Sequence, residues 1–418
     1  MLKEIRFKNW KSFKDATLYI DPLTVLIGTN ASGKSNVVDG LEFLYRVFNG
    51  MVVEEALNGT PTSPGIRGGA EWAARKQGNT FTIDVIVDGE NQKEYVYRLT
   101  IQTEPNVIVL SESLISRNVE DDTVTNEIFT AELEEGSLSY VGAASDRSEE
   151  FSAASDKLIL LAMRTYPFDK NFGDSRGDSG QLIVRTVIQA VKNIFVLDPI
   201  PSLMRGYSPA SRILVKDASN LAGVMTALSN EEKNELETTL SHYVSQLPER
   251  DIQRVWAEPV GRLQKDSTLY CEEQLVTGDP PLIIDASGMS DGTLRFIGII
   301  TALLTRPEGS QLIIEEVDNG LHPSRAGLLL QMLREIGAKR NIDILVTTHN
   351  PALLDAMGPE MVPFVVVAHR SDESGESKLT LLEDIQNLPK LLASGPLGKI
   401  VTQGAVEKSL HEGEGKQS

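Results

Sequence analysis

One cysteine, Cys271, stands in 418 residues. A lone thiol excludes an intramolecular disulfide framework and a thiolate zinc cluster, so no oxidising compartment is required; Cys271 reads as a buried apolar side chain. Aromatic residues are few, at 6%, yet 41% of the chain is hydrophobic and 24% charged, a globular composition that excludes wholesale disorder or a collagen-like rod. No apolar run reaches the ~18–20 residues needed to span a bilayer; the longest candidates, 158–163 and 296–304, are core-sized. Bases are outnumbered: 40 Lys+Arg against 59 Asp+Glu give a net charge of −19 and a pI near 4.8. That balance excludes a broad, non-specific nucleic-acid-coating surface but leaves room for a local basic groove. No segment sustains apolar heptads across three or four repeats, which excludes long coiled-coil arms, and no internal repeat is visible. The first residues, Met1-Leu2-Lys3-Glu4-Ile5-Arg6-Phe7, alternate apolar and polar side chains as a half-buried strand does, not as a signal peptide does. A cytoplasmic protein without membrane contact is the expectation.

The length allows two to four folding units of ~100–200 residues, or one composite α/β domain. Residues 18–20 and Leu23-Thr24-Val25-Leu26-Ile27 read as strands, the second fully apolar and ending at Gly28. After a glycine-rich loop, Val37, Val38, Leu41, Leu44, Tyr45 and Phe48 recur at helical spacing. Antiparallel strands are expected at 81–87, 95–101 and 107–114, with a hairpin turn at Asp88-Gly89-Glu90-Asn91. Residues 120–150 carry ten acids and one base, Arg147, and read as a solvated acidic rim or a docking surface for a basic partner. Helices are expected at 157–164, 182–191 and 229–247, with a Gly/Asp/Ser loop at 169–180. From 291 the pattern alternates: helix 291–304, strand 311–314, helix 324–336, strand 342–347, helix 351–357, strand 362–368. Such alternation predicts a parallel sheet covered by helices. The last seven residues form a polar tail.

Four motifs carry chemistry. Gly28-Thr29-Asn30-Ala31-Ser32-Gly33-Lys34-Ser35 matches GxxxxGK[ST] between a buried strand and an amphipathic helix. There the glycines let backbone N–H groups turn toward a phosphate at a helix N-terminus. Lys34 reaches the outer phosphates of a bound nucleotide and the Ser35 hydroxyl ligates Mg²⁺. Gln311-Leu312-Ile313-Ile314-Glu315-Glu316 is an apolar strand delivering two carboxylates at the end where open α/β sheets bind ligands. Beside a P-loop the first acid serves the magnesium and the second polarises water. Ser287-Gly288-Met289-Ser290-Asp291-Gly292-Thr293 precedes a helix and, alone, is an N-cap. Ile344-Leu345-Val346-Thr347-Thr348-His349 is a strand ending in a histidine.

In this order the four motifs resemble the ATP-binding-cassette class of P-loop ATPases, in its RecF, SMC and OLD-like branch. Lys8-Asn9-Trp10-Lys11-Ser12-Phe13 is similar to the N-terminal element of that branch, in which Lys11 and Ser12 approach the nucleotide. Asp318-Asn319-Gly320-Leu321-His322-Pro323 resembles the loop after Walker B, and 196–199 and 217–221 resemble further segments of stand-alone ATPases. The fold the resemblance implies is α/β: an ABC-type head with a mixed or parallel sheet, an antiparallel N-terminal β region and a helical insertion. Its parts are an N-terminal lobe at 1–165, a helical or mixed insertion at 166–280 and a C-terminal lobe at 281–418. It also implies ATP and Mg²⁺ as cofactors, ATP contacts from Gly28 through Asn36, metal contacts from Ser35 and Glu315, and catalysis by Lys34, Glu316 as general base and His349 as γ-phosphate sensor. Ser290, Asp291, Gly292 and Thr293 would close on a nucleotide held by another copy, so hydrolysis needs a homodimer or higher oligomer. Two departures stand out: position 315 is Glu where the broad pattern has Asp, and the signature reads SDGT, not SGGQ.

The chain runs about 70 residues past His349, too short for a further nuclease domain. The expected function is therefore an ATP-driven dimer that senses DNA or controls a separate effector such as a nuclease, in antiphage defence. The alternative is a RecF-like repair ATPase binding DNA directly through Lys3, Arg6, Lys8, Lys11 and Lys14.

Overall fold

A computed structural model describes residues 1–120, 123–134, 137–141, 153–164, 179–247, 252–274, 280–372 and 374–414. The chain divides into two compact units, each assembled from separate stretches of sequence. The first comprises Met1–Asp21, Gly28–Ile194 and Val366–Thr380; the second comprises Pro22–Ile27, Phe195–Val365 and Leu381–Ser418. Among the described residues no helix is long and apolar enough to cross a membrane.

The first unit is built on an antiparallel meander. Strand Leu2–Trp10 pairs with Phe13–Tyr19 on one side and Thr80–Asp88 on the other. Lys93–Gln102, Ile108–Asn118, Val124–Glu134 and Ser137–Val141 extend it in order. Asn91 and Gln92 both sit at positive φ, the backbone hand that lets a tight turn join two right-twisted strands. The helix Lys34–Phe48 lies on this sheet through a ring cluster. Phe7 stacks on Phe13 at 5.8 Å, and Trp10 meets Phe81 edge-on at 4.8 Å and Phe43 at 5.9 Å. All five rings are fully buried, each contributing about 1.5–3 kcal/mol of apolar transfer. Gly40 permits the approach: a Cβ there would lie 2.4 Å from Phe7 Cε1. The strand Ser377–Leu381 returns late in the chain to pair in parallel with the first hairpin, Phe13 opposite Ser377.

The second unit contains a parallel sheet in which Leu23–Ile27, Asp343–Thr347 and Gln311–Ile314 lie side by side, with Ile194–Leu197 beyond. Every residue of these strands is buried, as expected of strands covered on both faces. The helices Asp291–Thr305 and Ala326–Arg340 supply the cover. A separate antiparallel sheet joins Ser208–Pro209, Asp266–Glu273, Ile252–Val260 and Leu282–Asp285. Helix Asn230–Val244 is started by a reciprocal Ser229–Glu232 capping box and held to that sheet by Lys233 Nζ on Ala257 O, 2.8 Å.

The α/β class and its mixture of antiparallel and parallel strands agree with expectation. Residues 166–280 carry helices together with three strands of the antiparallel sheet, whose fourth, Leu282–Asp285, lies beyond them. Helix 157–164 shortens to Ile159–Met163, and strand 362–368 begins only at Val365 because Pro359 and Pro363 hold the preceding residues in a 3₁₀ turn. Of the acidic stretch, Glu127, Glu132 and Glu134 are exposed on the strand Val124–Glu134; Asp121, Asp122, Glu135 and 142–150 lie outside the described residues, as does most of the loop 169–180.

A buried carboxylate fastens the helix Ile159–Met163 to the meander. Glu112, 1% exposed, accepts from Tyr97 Oη at 2.9 Å and from the N–H groups of Ile159 and Leu160 at 2.7 and 2.8 Å. Burial outweighs these donors and pushes its pKa from 4.5 up to about 7. The folded state thus holds a proton that the unfolded chain releases. Stability is greatest below pH 4.5 and declines as pH rises through about 7, by up to ~3 kcal/mol for this group. Glu112→Gln removes that component: thermal melts should show a smaller fall in Tm between pH 5 and pH 8 in the variant than in the wild type.

Candidate functional site

In the first unit the glycine-rich loop takes a shape that few residues could follow. Gly28 sits at φ +146°, and a Cβ there would meet Ala368 O at 2.2 Å; a Cβ on Gly33, at φ +118°, would lie only 3.0 Å from the side chains of Phe13 and Ser377. Ala31 is also left-handed, at φ 64°. Gly33 caps the helix Lys34–Phe48 without any side-chain hydrogen bond, so the positive end of the helix dipole opens onto the loop. Lys34 folds back over it, donating from Nζ to Gly28 O at 2.7 Å and Thr29 O at 2.9 Å. Ser32 Oγ is buried and makes no hydrogen bond to any described residue. A curled backbone, a cation at its mouth and an unsatisfied buried hydroxyl fit a phosphate chain. Thr29, Asn30 and Ala31 are exposed, while Lys34, Ser35 and Asn36 are partly buried.

The N-terminal element reaches the same loop. Asn36 Nδ2 donates to Ser12 Oγ at 2.6 Å, and Ser12 Oγ to Ser377 Oγ at 2.7 Å. Lys11 ion-pairs with Asp39 on the helix, 2.6 Å, and donates to Arg67 O. Its burial lowers the pKa, an effect that Asp39 partly offsets. Arg67 closes the group, donating to Ser35 O at 3.3 Å while lying 3.5 Å from Asp39. Other proposed N-terminal bases are paired as well: Lys3 with Glu94 at 2.6 Å, and Arg6 with Glu4.

In the second unit, the registers Leu26↔Thr347 and Ile314↔Val346 bring the carboxyl ends of three parallel strands level. The two acids follow the middle of that edge. Glu315 is buried and Glu316 exposed. Glu316 has φ 47°, unusual for a residue with a Cβ, and its N–H donates to Thr347 Oγ1 at 2.8 Å. Val317 N donates to Thr347 O at 3.1 Å, and Thr348 Oγ1 to Asp318 Oδ1 at 2.5 Å. Asn319 turns back toward Glu316, Nδ2 to Oε2 at 3.4 Å. His349 is exposed directly after this strand, and Asn350 caps the following helix. Ser290 caps the helix Asp291–Thr305, accepting from Thr293 N at 3.1 Å and contacting Thr293 Oγ1 at 2.8 Å. Gly292 is packed so closely that a Cβ would lie 2.6 Å from Gly320 O, in the loop after the carboxylates.

Residues 1–166 match the family model described as "AAA ATPase domain", and residues 192–355 match that described as "AAA domain, putative AbiEii toxin, Type IV TA system". The chain is a P-loop ATPase. This ATPase is 22% identical over 368 residues to an ATP/GTP phosphatase of Helicobacter pylori, a match covering 85% of this chain and 87% of that one. A shorter match, 50% over 44 residues, joins 10% of the chain to 4% of the chromosome partition protein Smc of Methanococcus voltae. Among solved structures it is similar to an SmcHead bound to the C-winged helix domain of ScpA, with TM-score 0.49, 12% identity, and 91% and 96% of the two chains covered. It is also similar to the Smc head domain bound to the C-terminal domain of ScpA derived from Pyrococcus furiosus, with TM-score 0.47, 11% identity and coverage of 94% and 99%. The ATPase binds nucleotide and hydrolyses ATP.

Three participants lie outside the motifs, and a fourth stands in one that gave it no role. Asp39, Arg67 and Ser377 join Lys11 and Ser12 around the P-loop of the ATPase, and Thr347 fixes the backbone of Glu316. Only Thr347 had a local signal, since it stands beside His349 in a strand already singled out. Replacing its hydroxyl by a methyl group, Thr347→Val, leaves the Glu316 N–H without its acceptor. Steady-state kinetics should show kcat reduced about tenfold with KM little changed, the outcome expected when a positioning bond is lost and nucleotide binding is not.

Proposed function

We propose that this ATPase works as an ATP-gated homodimer that controls a separate effector protein, such as a nuclease, in antiphage defence. ATP bound on Gly28–Asn36 of one copy is closed over by Ser290, Asp291, Gly292 and Thr293 of the other. Lys34 neutralises the outer phosphates, Glu316 takes the proton of the attacking water, and His349 senses the γ-phosphate. Mg²⁺ would be held by Ser35 and Glu315 together with phosphate oxygens; it supplies charge neutralisation where negative charge develops. In this reading 1–165 and 281–418 are the ATPase lobes and 166–280 the insertion. Asp318 and Asn319 steady the turn that carries the general base.

The observation that carries the reading is the packing of Gly292 on Gly320 O. The start of the signature helix and the loop following the catalytic acids form one rigid contact, so a change at the carboxylates on hydrolysis is felt at an exposed helix end. Ser290 and Asp291 are both exposed there, as a face that meets a second copy requires. The matched toxin–antitoxin family description accords with a chain acting through a partner. Direct DNA loading is less well supported, because Lys3, Arg6 and Lys11 are committed to carboxylates of their own unit.

Light scattering of Glu316→Gln tests the reading. Without its base the variant should lose about two orders of magnitude in turnover, and Mg-ATP should double its solution mass. Lys34→Ala and Ser290→Arg, added separately to Glu316→Gln, should each prevent the doubling. An unchanged mass with ATP bound would overturn the dimer switch.

A further inference from the structure

The signature of this chain contains an aspartate that creates an electrostatic difficulty. A helix N-terminus attracts anions, and an acid in its first turn already satisfies part of that attraction. Asp291 occupies the first position of the helix Asp291–Thr305, and its side chain is 65% exposed. If the same helix end must receive the γ-phosphate of a second copy's ATP, a free carboxylate there repels the incoming group. The two charges would interact across a shielded interface, where repulsion is stronger than in water.

One side chain answers this difficulty. Arg205, which follows the short helix Pro201–Met204, donates from Nη2 to Asp291 Oδ1 at 2.7 Å and to Met289 O at 2.9 Å. It thereby neutralises the aspartate and ties down the backbone immediately before Ser290. Its surroundings explain why it holds this place: Met204, its neighbour, is buried with its Cε 3.3 Å from where a Gly298 Cβ would lie on the same helix. The guanidinium is thus carried to the signature by packing, one turn before it is needed. Two further arginines lie near the start of the helix, Arg295 on the helix itself. Arg325 Nη1 lies 3.1 Å from the position of a Gly292 Cβ, and Arg295 lies 4.0 Å from Asp198.

We infer that Arg205 is a positioning residue for the trans signature: by pairing with Asp291 it converts an SDGT helix end into one that accepts phosphate. The inference rests on the reading that Ser290–Thr293 approach a second copy's nucleotide. The partly exposed pair adds little to stability, since exposed ion pairs contribute little to folding. Arg205 matters instead when an anion must approach.

The test is a double-mutant cycle on the full chain, followed by ATP turnover, titration with a fluorescent ATP analogue, and thermal melting. Arg205→Ala should lower kcat tenfold or more, leave the Kd for the analogue within twofold of wild type, and leave Tm near the wild-type value. In the Glu316→Gln background it should reduce the ATP-induced doubling of mass. Asp291→Asn, which keeps a side chain of the same shape without the charge, should make turnover insensitive to Arg205→Ala and restore most of the loss in the double variant. Should Arg205→Ala fold poorly, Arg205→Gln keeps a donor for Met289 O without the charge and should show the same loss and the same rescue. Full turnover in either Arg205 variant, or an equal loss with and without Asp291→Asn, would overturn the inference. Wild-type turnover in Ser290→Arg would overturn the signature reading itself. A silent Ser290→Arg therefore indicts the reading, whereas an inactive Ser290→Arg with no rescue by Asp291→Asn indicts only the role of Arg205.

Discussion

The carboxylate-bearing edge of the parallel sheet depends on how one threonine ends a strand. Thr347 presents two acceptors at the carboxyl edge of the parallel sheet: its hydroxyl takes the N–H of Glu316 and its carbonyl takes that of Val317. Those two bonds let the chain leave the strand Gln311–Ile314 through a left-handed residue, a conformation that costs about 1–3 kcal/mol when a side chain is present. The strain turns the second carboxylate outward while the first stays buried. Adjacent acids of the same type therefore acquire different surroundings without any difference in sequence between them. Thr348 extends the arrangement through Asp318, so the whole turn after the sheet is fastened to the strand that also delivers His349.

The phosphate-binding half is organised by different physics. Its loop is shaped by glycines that admit neighbouring backbone and side-chain atoms, and its helix is seated by five aromatic rings and a glycine contact at Gly40. Charge there is arranged in a chain: Asp39 holds Lys11, Lys11 reaches Arg67 O, and Arg67 returns to the backbone of Ser35. In a chain of net charge −19, basic groups close to the nucleotide loop have many acids competing for them. A buried pair with a helix-borne carboxylate keeps Lys11 in place at the start of that helix.

The parts that could be read from sequence are those whose signal is local. The buried strand Leu23–Ile27, the loop and helix after it, three strands of the meander and the alternating C-terminal elements all announce themselves by period and by glycine placement. The strands Ile252–Val260 and Asp266–Glu273 do not. A register shift between Ile252 and Arg254 breaks their alternation, and Pro259 stands in the first of them. Residues brought together from far apart were also hidden. Ser377 bonds to Ser12 across 365 positions, and Arg205 meets Asp291 across 86. Ser12 and Asp291 stand in motifs, but their partners Ser377 and Arg205 look like ordinary polar residues until the fold joins them. Ser290 shows the limit in the other direction: its cap was legible, but a cap alone says nothing of what approaches it.

The seating of Gly28 against Ala368 and of Gly33 against Ser377 has a consequence for how the protein is made. The glycine-rich loop leaves the ribosome well before the strand that walls it, which emerges more than 300 residues later. A growing chain can form the meander and its aromatic cluster from neighbouring sequence, but it cannot complete the loop's surroundings until Ala368 and Ser377 have been added. At ordinary synthesis rates of ~5–20 residues per second, that interval lasts tens of seconds. Throughout it the nascent chain carries an unwalled loop.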